Sequence, residues 1–280
     1  MHFTVLPSPL HTLAEAANLV IKTRYGLADG IVEQQITPEI PLQPTLHWKT
    51  KTHFIACEVA ERPLPVSVKV QFADIVQTGQ PIRIIVAYPK NNDLSLTEYQ
   101  NDIKSSKNLG IGYLGIDEEY HGEIEYPGVS LALRIDTIDT KIFKPSLKPL
   151  VTDAYEHYMK DGNPAVGLQK LGQVVESIIL NVAKQAKKKG VFTSARFQPP
   201  KHLPQSHLID DLIAEDIIDI PILGSCRTFA NDRNSVSHAP KSRKEAIELE
   251  RKIRDSFSIG KRILEDLPAK IKERGYKLQL

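Results

Sequence analysis

Residues 222–238 read ILGSCRTFANDRNSVSH, and this stretch decides how the second half of the chain is interpreted. Its apolar positions recur at steps of four and three residues, which is the spacing of one buried helix face. The positions on that face are Ile222, Cys226, Phe229, Arg233 and Val236. Arg233 stands where an aliphatic residue is expected, and an unpaired cation is almost never buried. We therefore expect either an acidic partner for Arg233 or a helix face that opens on a cleft or a second subunit holding an anion.

Three polar residues near the end of this helix, Arg233, Asn234 and His238, combine groups that suit phosphate chemistry. A guanidinium group is planar, always charged and shaped to bind phosphate oxygens. An imidazole is the side chain best suited to transfer a proton at neutral pH. An arginine and a histidine together can cleave RNA without a metal ion, with His238 handling a proton and Arg233 stabilising charge on the phosphoryl oxygens. Asn234 would orient either group through a hydrogen bond.

The spacing of Arg233 and His238 raises a geometric difficulty. On an unbroken helix the two side chains lie about 140° apart around the axis, too far to grip one phosphate. Pro240 disfavours helical geometry at Ala239, so the last turn could open around His238. Alternatively, the site is composite and two subunits contribute side chains across a two-fold axis. The arginine on an apolar face favours the composite site, or both solutions together.

The motif Arg233-Asn234-Ser235-Val236-Ser237-His238 resembles that of HEPN domains, which is an arginine, a polar residue, three further residues and a histidine. Its context agrees, since the motif ends the penultimate predicted helix of a bundle and a long final helix follows. The resemblance covers residues 147–280. It implies a homodimer with a shared cleft and metal-independent endoribonuclease activity on RNA, with Arg233 and His238 as the catalytic pair and Asn234 as a polar helper. Such domains often serve as toxins or antiviral effectors in phage defence.

A plainer interpretation of the same residues stays open. Arg233 could pair with Glu176 or with an aspartate of the segment Asp210–Asp219, while His238 would be a surface residue at the helix end. The chain would then be a non-catalytic HEPN-like binding or scaffold protein.

Basic residues of the second half are candidates for contacts with an RNA backbone. Residues 151–280 hold 22 Lys and Arg against 17 Asp and Glu, a net charge of +5, whereas the whole chain has a net charge of +2. Lys241, Arg243 and Lys244 follow the motif closely and are the best candidates for phosphate contacts. A further group could also touch RNA, although a solvated helix end is the commoner explanation for it. These residues are Lys184, Lys187, Lys188 and Lys189.

The first half reads as an α/β sandwich, with a helix, three strands, a helix and a strand, followed by a helix and two more strands. The predicted strands are Ile31–Gln35, Thr45–Lys49, His53–Val59, Ile82–Tyr88, Ile111–Ile116 and Val129–Ile135. This order, together with Glu58 after an apolar run, resembles a PD-(D/E)xK nuclease core, the restriction-endonuclease-like fold. Such a site needs carboxylates for magnesium and a lysine two residues beyond the glutamate. Position 60 is alanine and the strand before Glu58 has no acid, so we expect an inactive copy that could serve as a sensor or docking platform for a regulatory partner or ligand. The alternative is a metal-dependent DNA nuclease.

The composition is that of a globular chain with room for two domains, with 41% hydrophobic and 25% charged residues among 280. No apolar run approaches the ~20 residues of a membrane span, and the N-terminus lacks the features of a secretory signal. Cys57 and Cys226 lie in apolar runs and are interpreted as small buried residues. We expect a cytoplasmic protein without a metal or other cofactor and without a membrane partner. Its fold class is α+β in two domains, an α/β sandwich over 1–144 and an all-α bundle over 147–280.

Overall fold

The computed structural model describes residues 1–90, 97–199, 203–235 and 239–280. Within them the chain forms two compact units, each assembled from more than one segment. The first unit comprises Met1–Asp136, Met159–Asn163 and Pro240–Arg251. The second unit comprises Thr137–Tyr158, Pro164–Ala239 and Lys252–Leu280. The first is mixed α/β and the second is helical, as the sequence predicted for the two halves of the chain.

The first unit is built on an open sheet of six strands among the described residues, which lie side by side in sequence order. The strands are β1 (Ile31–Val32), β2 (Leu46–Lys49), β3 (Phe54–Val59), β4 (Ile82–Pro89), β5 (Gly112–Ile116) and β6 (Gly122–Tyr126). The first three run antiparallel to one another, β3, β4 and β5 are parallel, and β6 returns antiparallel to β5. Parallel neighbours need a crossover connection. The helices between them are α2 (Val66–Gln77) and α3 (Thr97–Leu109), while α1 (Ser8–Tyr25) precedes the sheet.

Both faces of the central strands are covered, which explains why β3 and β4 are apolar almost throughout. Successive side chains of a strand point to opposite faces. Ile55 and Cys57 therefore join one core with Ala17 and Ile21 of α1. A second core forms on the other face from alternate residues of the same strands and from α2. Its members include Phe54, Ala56, Ile84, Val86, Val68, Phe72 and Ile75.

The predicted strand Val129–Ile135 is wrong. The structure places β6 earlier, at Gly122–Tyr126, and residues Leu131–Leu133 form a 3₁₀ turn. The residues of that turn are fully buried in the first unit, so their apolar character reports burial and not strand pairing. Segment β6 escaped prediction because its glutamates, Glu123 and Glu125, are unfavourable in strands and are exposed at the sheet edge.

The second unit consists of packed helices, and a long final helix follows the helix that carries the motif, as the sequence predicted. The helices are α4 (Lys148–Tyr155), α5 (Pro164–Lys188), α6 (Gln205–Ala214), α7 (Ile220–Ser235) and α8 (Arg243–Glu273). The first part of α8, up to Arg251, belongs to the first unit. Helix α4 continues through a turn of π-helix, Glu156–Lys160. Ser242 caps α8 as its sequence predicts, because its hydroxyl oxygen accepts a hydrogen bond from the Glu245 N–H at 3.3 Å.

The helices of the second unit approach closely where small residues allow it. A Cβ on Gly260 of α8 would lie 2.7 Å from the Phe229 ring and 2.8 Å from Leu171. The inner face of α5 has the period of 3.6 expected of a helix, and all of its members are buried. These residues are Leu168, Leu171, Val175, Ile178 and Val182. In the described ranges, no helix combines the length and the apolarity that a membrane crossing requires.

Candidate functional site around Arg233

Helix α7 buries the apolar face that its sequence predicts. Ile222, Cys226 and Phe229 have 8%, 0% and 1% of their surface exposed. Arg233 follows them one turn later, and its side chain is 18% exposed. Val236, the last predicted position of the face, lies outside the described residues. The helix therefore carries a guanidinium group into a mostly buried position, where it needs polar neighbours.

Gly172 of α5 makes room for the Arg233 side chain. A Cβ at this glycine would lie 2.5 Å from both Cδ and Nη1 of Arg233, so any other residue would displace the guanidinium group. Glycine is unfavourable inside a helix by about 1 kcal/mol relative to alanine. Gly172 was not among the residues predicted for the site. Its signal is a glycine on the apolar face of an otherwise well-formed helix.

Two polar side chains of the second unit contact the guanidinium group. Nη1 of Arg233 lies 3.5 Å from Oε2 of Glu176, and Nη2 lies 3.5 Å from Oε1 of Gln205. Both contacts are at the long limit for a hydrogen bond. The Glu176 side chain is 37% exposed, so this ion pair is worth little, about 0–1 kcal/mol. Among the described residues Arg233 has no other polar partner, although a guanidinium group carries five N–H donors.

Glu176 is one of the partners that the plainer interpretation named, and the aspartates it also named pair elsewhere. Asp210 lies 3.2 Å from Arg227, and Asp216 lies 2.9 Å from Arg274. Asp211 pairs with Arg196, and Asp219 lies 3.8 Å from Lys270. Arg233 thus has one acidic neighbour, held loosely at the helix surface.

Gln205 gives the site an unused donor. This residue is only 9% exposed, and its Nε2 has no hydrogen-bond partner in the described part of the chain. Gln205 is also the first residue of α6, which begins after Pro204 with no side-chain cap. The first N–H groups of a helix lack intrahelical partners and form its positive end. An amide donor, a helix start and a guanidinium group therefore meet at Gln205, which suits an oxyanion. Nothing in the local sequence pattern indicated this residue.

Of the other two residues of the motif, one lies within the described residues and one does not. Asn234 is exposed at the end of α7, next to Arg233 in sequence. His238 lies outside the described residues, so its distance from Arg233 stays a prediction. The structure therefore describes the surroundings of Arg233, and the catalytic pairing of Arg233 with His238 stays a prediction.

The three candidate RNA contacts, Lys241, Arg243 and Lys244, belong to the first unit. Lys241 and Lys244 are exposed. Arg243 already has local partners, because its guanidinium carbon lies 3.9 Å from the centre of the Phe54 ring and Nη2 donates to the Thr50 carbonyl at 3.2 Å. We conclude that Arg243 holds the start of α8 against β3, a role that its position after the motif did not suggest.

A buried carboxylate of the first unit was not foreseen. Glu250 is 4% exposed, with Oε1 2.8 Å from Nε2 of His53 and Oε2 accepting from the Ser130 hydroxyl at 2.5 Å. Nδ1 of His53 contacts the Thr52 hydroxyl at 2.7 Å. Every polar atom of this cluster has a partner, so it joins α8 to β3 and to the segment after β6. We interpret it as a structural network.

Glu58 does not have the surroundings of a metal-dependent nuclease site. Burial raises the pKa of its carboxyl group, and the Thr45 N–H donates to it at 3.2 Å. In the described ranges, the only group of three potential metal ligands is Asp117, Glu119 and His121. That group lies in the turn between β5 and β6, and Glu58 is not part of it.

No protein-family model matches the chain, and neither a curated protein nor a solved structure matches it. The argument for function therefore rests on the motif and on the geometry around Arg233.

Proposed function

We propose that this protein is a metal-independent RNA endonuclease of HEPN type that uses Arg233 and His238. The observation that carries the proposal is the partly satisfied cluster at Arg233. Its guanidinium group has two contacts of 3.5 Å, and the neighbouring Gln205 amide is buried with an unused donor. Such donors are costly to bury without an acceptor, and a phosphate oxygen of a bound strand would supply one.

The chemistry needs no metal and balances within the RNA strand. The 2′-oxygen forms a bond to the adjacent phosphorus while the bond from phosphorus to the 5′-oxygen of the next nucleotide breaks. One proton leaves the 2′-hydroxyl and one arrives at the 5′-oxygen, and His238 handles one of these transfers. Arg233 stabilises the charge on the non-bridging oxygens, with Gln205 as a second donor. DNA lacks the 2′-hydroxyl, so it is not a substrate of this reaction.

The proposal includes a homodimer, because Arg233 and His238 cannot face one phosphate on an unbroken helix. We assign the contact with the second copy to a groove of about 680 Å³ between α7 and α8. Gly224 lies in it, and a Cβ at this position would meet nothing within 4 Å. The variant Gly224→Arg should therefore fold and yet keep a second copy off this surface. Light scattering of the wild type and of this variant tests the dimer, and a wild-type monomer at micromolar concentration would contradict it.

We propose that the first unit is an inactive restriction-endonuclease-like domain that docks a regulator, in a cytoplasmic toxin or phage-defence protein. The order of α1, three strands, α2 and β4 supports the fold, and Ala60 in place of the lysine supports its inactivity. The variant Glu58→Ala with single-stranded and duplex DNA in magnesium tests this. Magnesium-dependent cutting that the substitution abolishes would make the first unit the nuclease instead.

The main experiment incubates purified protein with labelled RNA and with DNA of the same sequence, each with and without EDTA. We expect RNA cutting that survives EDTA, with products ending in a 2′,3′-cyclic phosphate. Arg233→Ala and His238→Ala should each lower the rate by about 100-fold or more. Arg227→Ala is the matched control, since Arg227 lies on α7 and its side chain is 52% exposed beside Asp210. Equal rates for Arg233→Ala and Arg227→Ala would contradict the proposal.

A second candidate is a non-catalytic binding protein, and the Arg233–Glu176 contact favours it. If Arg233 serves only to form the ion pair with Glu176, the wild type does not cut RNA. The variant Glu176→Gln separates the two cases. Under our proposal it keeps or raises the cleavage rate, because it removes a negative charge from the phosphate site.

A further inference from the structure

A second groove of about 700 Å³ lies along the C-terminal half of α5 in the second unit. One wall comes from α5, where four lining residues follow at steps of three, one and three and therefore share one helix face. They are Asn181, Lys184, Gln185 and Lys188, and Lys187 lines the edge of the same wall. The opposite walls come from Phe197–Pro199 and from Gln279. No acidic side chain lines this groove among the described residues.

The walls of the groove are fixed by hydrogen bonds to main-chain groups. Gln185 accepts from the Lys277 N–H at 2.9 Å and donates to the Lys277 carbonyl at 2.8 Å. Asn181 donates to the Gln279 carbonyl at 3.3 Å. Lys187 donates to the Phe197 carbonyl and lies 5.5 Å above the Phe197 ring. These contacts hold the segment after α8 and the loop after α5 in place, so the groove is preformed.

Two lysines in the groove make no such hydrogen bond to a main-chain group among the described residues. Lys184 and Lys188 are exposed and lie one turn apart on α5, and neither makes an ion pair with any residue that the structure describes. Other cations of the same unit do have acidic partners, for example Arg227 with Asp210 at 3.2 Å and Arg274 with Asp216 at 2.9 Å. A helix C-terminus favours lysines through its dipole, but the dipole alone does not explain a fixed groove without acids around them.

We infer that this groove binds the phosphate backbone of an RNA strand through Lys184 and Lys188. The inference rests on the proposed function, which supplies RNA as the ligand. Phosphate contacts by lysine are independent of base sequence. The lining exposes no aromatic ring for base stacking, since Phe197 is 2% exposed, and it has no apolar anchor for a membrane.

The groove contacts nucleotides that flank the cleavage position. Lys184 lies eight residues beyond Glu176 on α5 and Lys188 lies twelve beyond it, which is about 12 and 18 Å along the helix axis. The two lysines are also turned away from the Glu176 side by roughly 80° and 120°. Both distances are several times the ~3.4 Å between stacked nucleotides, so a dinucleotide bound at Arg233 does not reach the groove. Long RNA should therefore use the groove and a dinucleotide should not.

The test measures binding of a fluorescent 20-nucleotide single-stranded RNA to the full chain carrying Arg233→Ala, so that the strand is not cut. Adding Lys184→Gln and Lys188→Gln should weaken binding roughly 10- to 30-fold at 0.1 M salt and lower the slope of log K against log salt by about 1.4. The matched control adds Lys148→Gln and Lys272→Gln, which remove the same charge from exposed positions of the second unit. Circular dichroism melts check that both proteins fold.

The outcomes separate the groove from the catalytic proposal. Equal RNA affinities for the groove and control variants would overturn the inference, and so would a polyglutamate peptide or anionic lipid vesicles that bind as tightly as RNA through the same lysines. If the wild type cuts no RNA but binding still needs Lys184 and Lys188, the groove stands and the proposed cleavage fails. If cleavage occurs, Lys184→Gln and Lys188→Gln introduced into the chain that keeps Arg233 should slow cutting of the 20-nucleotide strand and leave cutting of a dinucleotide unchanged.

Discussion

Two charged clusters of this protein differ in how completely their polar atoms are satisfied. In the first unit, Glu250 is 4% exposed and has close contacts of 2.5 and 2.8 Å to Ser130 and His53. In the second unit, Arg233 has two polar contacts within the described ranges, both of 3.5 Å. Beside it, the buried Gln205 keeps an amide group without a partner in the described residues.

The difference separates a structural network from a site for a ligand. A buried charge whose neighbours all form short hydrogen bonds to it cannot bind a further ligand. Removing one partner leaves the other buried polar groups without a hydrogen bond. A guanidinium group with long contacts beside an unused donor can exchange them for a phosphate at little cost. We therefore expect substitutions at Glu250 to change stability and substitutions around Arg233 to change activity.

The largest effect is expected at Arg233. Arg233→Lys keeps the charge but loses the planar fork that binds two phosphate oxygens, so RNA cleavage should fall by about 100-fold or more. The melting temperature should change little, because the ion pair with Glu176 is weak. Cleavage assays and thermal melts on one preparation check both. A melting temperature lowered by 10 °C or more would show that Arg233 stabilises the fold, as Glu250 does.

Glu250→Ala should give the opposite result. It strands the Ser130 hydroxyl and the His53 ring, and breaking a buried pair in this way costs about 3–5 kcal/mol. Urea unfolding of the full chain measures this loss in the free energy of unfolding. Glu250→Gln is the matched control, since its amide keeps an oxygen for Ser130 and its cost should be smaller. Equal losses for the two substitutions would show that the charge, and not the bonding, matters.

Gly172→Ala should affect both properties to an intermediate degree. The new methyl group would meet Cδ and Nη1 of Arg233 at 2.5 Å, and overpacking costs about 1–3 kcal/mol, offset by about 1 kcal/mol of helix propensity. The displaced guanidinium group should lower cleavage by about 10-fold. Gly224→Ala on α7 is the control for the stability measurement, because a Cβ at this position has open space around it. Unchanged cleavage in Gly172→Ala would mean that the position of Arg233 is not critical.

Gln205→Leu should lower activity about as much as Gly172→Ala does, but it should not lower stability. It removes an unsatisfied buried amide, so the free energy of unfolding should stay the same or rise slightly. Cleavage should fall by about 10-fold, because one donor to the phosphate is lost. Rates and urea midpoints measured together decide this. A fall in stability would show that Gln205 has partners that its long contact with Arg233 does not reveal.

The smallest effect concerns Glu58 in the first unit. Burial raises the pKa of its carboxyl group above the ordinary value of 4.5, so the folded protein holds this proton to higher pH than the unfolded chain does. Its contribution to stability therefore falls as pH rises through the window that starts near 4.5. Glu58→Gln should be slightly more stable than the wild type at pH 7 and equal to it at pH 4. Thermal melts at the two values measure the difference, and a variant less stable at pH 7 would contradict the expected sign.

Much of the fold was predictable because helices and strands impose a regular spacing on the apolar residues within a short stretch of sequence. The inner faces of α5 and α7 follow a period of 3.6, and the start of α8 is fixed by Ser242 and Glu245 within four residues. The order of the first elements was also predicted from the sequence, and it is α1, β1, β2, β3, α2 and β4. The segment Val129–Ile135 was predicted wrongly, since an apolar run indicates burial whether or not a strand forms.

By itself, the sequence determined the two structural classes, the helix bounds and the presence of a cation on a buried face. Only the tertiary structure decided what surrounds that cation. Gln205 lies 28 residues from Arg233 in sequence, and Gly172 lies on another helix. The same holds for Glu250, which is 197 residues from His53 and 120 from Ser130. Periodicity is a property of neighbouring residues and can be read from a short window, whereas partners so far apart are chosen by packing, which no window of the sequence contains.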